Sequence, residues 1–180
     1  MKQREHIEYF TNLVFYHLFR FEKWTQHLIS DPLIRLIRLP VIAKFQKKRD
    51  IEEVVKDIDK TLYDRKNGVN IMFADTHLTF LFYLISSGTA NFLINLLSIN
   101  INQLINKDLQ YLIYFVVTYI PAWVAVEMLT SRKNKYLKYF KKFEKKSYEW
   151  QHNTEVLTFF TAVGIWVYGI GGFIFYLTGL

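Results

Sequence analysis

The chain has 180 residues, 51% of them apolar, with 16 Phe, 12 Tyr and 4 Trp, and it carries a formal charge of +7. Cysteine is absent, which excludes a disulfide framework and a thiolate metal site. The apolar residues gather into long uncharged runs, and in such a chain excess Lys and Arg reads as attraction to anionic lipid and as topology, leaving nucleic acid the lesser alternative.

Met1 to Ile7 mixes Lys2, Arg4 and Glu5 before any apolar run, unlike a cleavable signal peptide, so the segment is expected to be retained. Tyr9 to Phe19 is an uncharged, aromatic run of 11 residues, too short to cross a bilayer, and is expected to form an interfacial helix. Asp31-Pro32 is a turn signal. Beyond it Arg35 and Arg38 share a helical face, Pro40 interrupts the segment, and Lys44, Lys47, Lys48 and Arg49 form a basic cluster. Residues 1–70 are therefore expected to be a cytoplasmic, membrane-surface helical module, with Arg35, Arg38, Lys47 and Lys48 meeting anionic headgroups.

Within that module Ile51, Val54, Val55, Ile58 and Leu62 recur with helical spacing, predicting an amphipathic helix capped by Asp50 and stopped near Gly68. Its apolar face is expected to pack on the N-terminal helices or on a soluble partner. The spacing of Arg20 and His27 resembles the R-x4-6-H motif of HEPN ribonucleases, which implies a paired Arg and His at a dimer interface. That resemblance covers eight residues, whose neighbours Phe19, Phe21 and Trp24 suit a packed or surface helix, and no family is assigned on it.

Residues 71–180 are expected to hold three transmembrane helices. The first begins near Ile71 and runs to about Ile99 or Ile101, with no charge between Leu78 and Asn106. Ser87, Asn91, Asn95, Ser98 and Asn102 recur every three or four residues along it, beside Gly88. In hydrocarbon such a stripe must face protein or water, so it predicts either helix packing or a pore. The second span, Leu109 to Val126, has 18 uncharged residues and contains Pro121, which frees the carbonyl of Val117 and predicts a kink, with Thr118 placed to satisfy the freed group. The third, Val156 to Leu180, has 25 uncharged residues and is capped by Asn153 or Thr154. Thr161, Gly164, Tyr168, Gly172 and Phe175 roughly share a face there, a surface for close helix approach.

Between the last two spans, Ser131 to Glu155 holds eight Lys and Arg, among them Lys138, Lys141, Lys142 and Lys145. No Gly or Pro falls between Ala122 and Val163, which gives little support to a turn. A continuous helix from Glu127 to Trp150 would be about 35 Å long, more than the chain could retrace, so a basic helix along the membrane surface is expected, aromatics down and lysines out. The first 70 residues carry 14 of the 23 Lys and Arg, so both basic segments belong on one side. Three spans follow, with the N-terminus on the cytoplasmic or matrix side and the C-terminus opposite, in a bacterial or organellar inner membrane.

That topology gathers Asp75, His77, Glu149, His152 and Glu155 near one interface, where a single E-x-x-H spacing makes them candidate metal ligands; capping and interfacial roles are the simpler reading, and no cofactor is expected. No phosphate-binding loop, H-E-x-x-H or G-x-S-x-G occurs. The sequence thus predicts an all-α, multi-pass membrane protein acting by assembly, as an accessory or structural subunit bound to itself or to other transmembrane subunits. A homo-oligomeric pore lined by the polar stripe and a metal-dependent enzyme at the inner interface are the alternatives.

Overall fold

The computed structural model describes residues 2–39, 51–97 and 106–178, and all of its regular structure there is helical. Six α-helices follow in order: α1 (Lys2–Ile37), α2 (Ile51–Tyr63), α3 (Val69–Leu96), α4 (Lys107–Val126), α5 (Lys135–Phe143) and α6 (Tyr148–Thr178). Three helices, within Val69–Leu96, Leu109–Phe143 and Tyr148–Leu177, are long and apolar enough to cross a membrane.

Helix α3 is the centre of the assembly. It packs against α6 most extensively, then α4, then α1. Contacts such as Phe80 with Trp166 and Phe92 with Phe175 make α6 parallel to α3, whereas Tyr114 with Ser87 and Ser131 with Asp75 make α4 antiparallel. The start of α3, the end of α4 and the start of α6 therefore meet at one end, which also carries the basic residues. Of the apolar window in α3, 39% is buried, against 17% in each of the other two, so α4 and α6 flank it and turn broad apolar faces outward.

The most buried cluster lies at the basic end. Leu13, Val14, Phe15, Tyr16 and Phe19 of α1 pack with Ile71, Ala74, Leu78 and Leu81 of α3 and with Tyr136, Phe140 and Phe143 of α5. The positions on α3 recur every three or four residues, a single helical face. The aromatic run of α1 thus finds protein where an interfacial contact was expected. Asp31-Pro32 makes no turn: α1 runs unbroken to Ile37 with Pro32 inside it. Pro40 and the cluster Lys44, Lys47, Lys48 and Arg49 lie outside the described residues, as does Asp50.

Helix α2 buries Val55 and half-buries Ile51, Val54, Ile58 and Leu62, the predicted face. It ends five residues before Gly68, which instead precedes α3. A Cβ there would collide with backbone atoms of Asp64 and Leu62, so the tight entry into α3 needs glycine.

The expected helix through Ser131 to Glu155 is interrupted twice. Helix α4 continues through Pro121 and then widens into a π turn over Glu127–Ser131 and a 3-10 turn over Arg132–Asn134. Lys133 and Asn134 take the left-handed conformation, with φ of 60° and 53°. Asn is among the few residues that tolerate it, so Asn134 supplies the break that no Gly or Pro announced. Thr118 donates to the Tyr114 carbonyl at 2.7 Å, one turn before the position expected. A second turn over residues 144–147 leads into α6, whose first turn is capped by Ser147 Oγ accepting from the Trp150 N–H at 3.3 Å. The third helix therefore starts at Tyr148, ahead of Asn153 and Thr154.

Candidate functional site: a lateral cleft over the central helix

Because α4 and α6 flank α3, an open cleft of about 570 Å³ is left between them with α3 as its floor. Tyr83, Leu84, Ser87, Asn91 and Ile94 come from α3; Gln110, Tyr111, Tyr114 and Phe115 from α4; Gly169, Ile170, Phe173 and Tyr176 from α6. The walls are aromatic and aliphatic. The floor is polar but partnered: the Tyr114 hydroxyl donates to Asn91 Oδ1 at 3.0 Å and toward the Ser87 carbonyl at 3.3 Å, and Ser87 Oγ donates to the Leu84 carbonyl at 3.3 Å. Asn91 is only 2% exposed, so its bond to Tyr114 offsets a desolvation cost of about 1–3 kcal/mol that an unpaired amide would carry. The lining holds no carboxylate, imidazole or amine, and its titratable groups are the phenols of Tyr83, Tyr111, Tyr114 and Tyr176. It suits binding of an apolar group with a few hydrogen-bonding handles.

The stripe and the glycines divide between two seams. Ser87 and Asn91 face α4, as described. Gly88, Asn95, Tyr168 and Gly172 build the contact between α3 and α6: Asn95 Nδ2 donates to the Phe175 carbonyl at 2.6 Å, and Tyr168 shares a hydrogen bond of 3.0 Å with Thr89. A Cβ at Gly172 would meet the Gly88 Cα at 2.8 Å, and one at Gly169 the Leu84 side chain at 3.0 Å. Small residues thus let the two backbones touch. Gly164 makes no such contact within the chain, since nothing lies within 4 Å of a Cβ placed there. Ser98 lies outside the described residues.

The cationic residues are on the outside. Lys138, Lys141, Lys142 and Lys145 are exposed, with Lys142 over the Tyr9 ring at 5.3 Å, while the aromatic positions of α5 turn inward onto α1 and α3. Arg35 is exposed and Arg38 pairs with Glu52 at 3.4 Å; Lys47 and Lys48 fall in the undescribed segment.

The suggested metal ligands do not converge, and no group of three or more His, Asp or Glu does so among the described residues. Asp75 accepts from Ser131 at 3.1 Å, His77 pairs with Glu22 at 2.8 Å, and Glu155 lies 3.9 Å from Arg20. Glu149 and His152 are exposed, His152 stacking on Tyr148. Packing sends each toward a different neighbour, so shared depth did not become a shared site. Arg20 and His27 also part: Arg20 donates to Gln151 at 3.0 Å, whereas His27 meets Asp31 and the Tyr63 hydroxyl.

Two buried polar residues tie α1 to the rest. Asn12 donates to the Leu129 carbonyl in the π turn at 2.9 Å, and Lys135 bonds Met128 O and Glu8. His17 Nε2 lies 3.0 Å from Thr154 Oγ1, whose own proton serves the Trp150 carbonyl, so the imidazole is the donor there. Burial first, and the Arg20 charge second, lower the His17 pKa from 6.5 to about 4. The folded state therefore holds His17 neutral while the unfolded chain takes up a proton below its ordinary pKa. Stability should fall as pH drops from about 6.5 to about 4 and level off below, by roughly 3 kcal/mol in total. His17→Gln should flatten that segment of a stability profile measured by denaturation in neutral detergent; an unchanged slope would assign it to other groups.

Sequence reasoning overlooked Gly169 and Tyr114 as the cleft's seam and bridge. A three-residue spacing of Gly169 and Gly172 was the available signal. No protein-family model matches the chain, and searches of curated proteins and of solved structures found no significant match.

Proposed function

We propose that this chain is an integral membrane protein that acts by assembly, an accessory or structural subunit whose cleft receives a transmembrane helix of a partner. The observation that carries this reading is the cleft itself. It is open and lined mainly by apolar and aromatic side chains, with no carboxylate, imidazole or amine among them. The outer faces of α4 and α6 add support, since Leu112, Val117, Phe159, Phe160 and Val167 are all exposed and contiguous apolar surface of that kind belongs against lipid or protein. The basic clusters set the orientation, with the end carrying α5 on the cytoplasmic or matrix side of an inner membrane and anionic headgroups as counter-charge. The pore alternative draws less support, because Asn91 and Asn95 are bonded to Tyr114 and to the Phe175 carbonyl within the chain. The metal-enzyme alternative draws no support from a converged ligand set among the described residues.

The absence of cysteine permits a direct test. Phe173→Cys places a photo-crosslinker in the cleft, and Val117→Cys places one on α4 outside the lining. In native membranes the probe at 173 should yield a discrete protein adduct, to a second copy or to another subunit, and Ile170→Trp, which fills the cleft, should reduce that adduct several-fold. Lipid adducts alone at 173, together with a chain that purifies as a lone monomer in mild detergent, would overturn the reading.

A further inference from the structure

Along α1, Tyr16, Phe19, Arg20, Lys23, Trp24 and His27 fall at i, i+3, i+4, i+7, i+8 and i+11, one helical face. Facing them are Tyr63 at the end of α2, Arg65 just beyond it, and Glu144 after α5. Between these walls is a second cavity, of about 320 Å³, at the basic end of the molecule.

Its chemistry is the opposite of the cleft's. Three permanent cations, Arg20, Lys23 and Arg65, line it against one carboxylate, Glu144. Arg65 holds that carboxylate in a two-pronged pair at 2.7 and 2.9 Å. The same planar fork matches two oxygens of a phosphate. Lys23 has its ammonium 5.8 Å above the Tyr63 ring, and Arg20 lies at the same distance from the Tyr16 ring.

The frame around these groups is fixed. Tyr63 stacks on His27 with centroids 4.6 Å apart, and its hydroxyl is bonded to Ser30 at 2.9 Å. The Arg65 backbone is pinned by the Tyr136 hydroxyl, which donates to its carbonyl at 2.9 Å. Arg20 is braced by Gln151. Trp24, 59% exposed, stands at the cavity with an apolar face uncovered. Positive charge beside exposed aromatic surface suits an anion that carries an apolar body.

We propose that this pocket binds a phosphate ester, its oxyanion between Lys23 and Arg65 and its apolar body against Trp24 and Tyr63. The phosphate displaces Glu144 from the Arg65 fork and draws further charge from Arg20. The same chemistry is offered by a soluble phosphate ester and by a lipid headgroup, and the experiment separates the two.

The full chain in neutral detergent is titrated calorimetrically with phenyl phosphate, with phenol as the uncharged match, and separately with dioctanoyl phosphatidic acid against dioctanoylglycerol. Saturable binding of phenyl phosphate identifies a soluble ester as sufficient; binding of phosphatidic acid alone identifies a headgroup. In either case Lys23→Ala and Arg65→Gln should each weaken the phosphate probe by roughly tenfold, the loss of one charge-assisted bond. Lys66→Ala and Lys138→Ala, basic residues outside the lining, should leave it unchanged. Lys23 is exposed and makes no ion pair among the described residues, so its removal leaves the fold intact even if Arg65→Gln loosens the contact with Glu144. No saturable binding of either phosphate probe, or an affinity in both variants unchanged from that of the unaltered chain, overturns the proposal.

Discussion

Replacing Phe140 with Ala should cost about 3–5 kcal/mol, the range for deleting a fully buried aromatic side chain in a packed core. Phe140 has no exposed surface and its ring lies 5.3 to 5.6 Å from those of Phe15, Tyr16, Phe19 and Tyr136. Each such aromatic pair adds about 0.5–1.5 kcal/mol beyond the area it buries. The loss removes the main contact by which α5 holds α1, so the basic end should loosen before the long helices part. Thermal or denaturant unfolding in detergent measures the cost, and protease sensitivity near Asn134 locates it. A destabilisation under about 1 kcal/mol would mean that α5 is not the clasp the packing implies.

Gly172→Ile should separate α6 from α3. The first added carbon meets the Gly88 Cα at 2.8 Å and its carbonyl oxygen at 2.9 Å, and backbone cannot rotate aside as a side chain can. Overpacking of this kind costs about 1–3 kcal/mol when a core can adjust, and the helix seam leaves little room for adjustment. Gly164→Ile is the control, since its Cβ meets nothing and its effect should be near zero. Spin labels on Cys residues introduced at the exposed positions Leu96 of α3 and Leu177 of α6 would report the separation as an increased distance. Equal behaviour of the two glycine variants would contradict the seam.

The same pair of glycines shows how far the sequence could be read. Gly164 and Gly172 stand on one expected face of α6, yet only Gly172 meets α3, because the face that α6 turns inward runs through Ala162, Ile165, Gly169 and Gly172 and leaves Gly164 to one side. The polar stripe gave a comparable result. Its need for partners was legible from Ser87, Asn91 and Asn95, but the partners, Tyr114 on one side and the Phe175 carbonyl on the other, depend on how α4 and α6 are arranged around α3. The break after α4 was hidden for a different reason. Lys133 and Asn134 adopt a backbone conformation that tertiary contacts must hold, with Leu129 and Met128 carbonyls taken by Asn12 and Lys135.

By itself the sequence determined the three long apolar helices and the amphipathic face of α2, since uncharged length and helical periodicity are local properties. Tertiary structure alone decided that the aromatic residues of α1 and α5 face each other, that a cleft opens between α4 and α6, and that Arg20, Lys23 and Arg65 share a pocket. A bilayer and a protein interior are both apolar, so hydropathy scores them alike; only the packing of one helix against another tells which apolar surface a side chain meets.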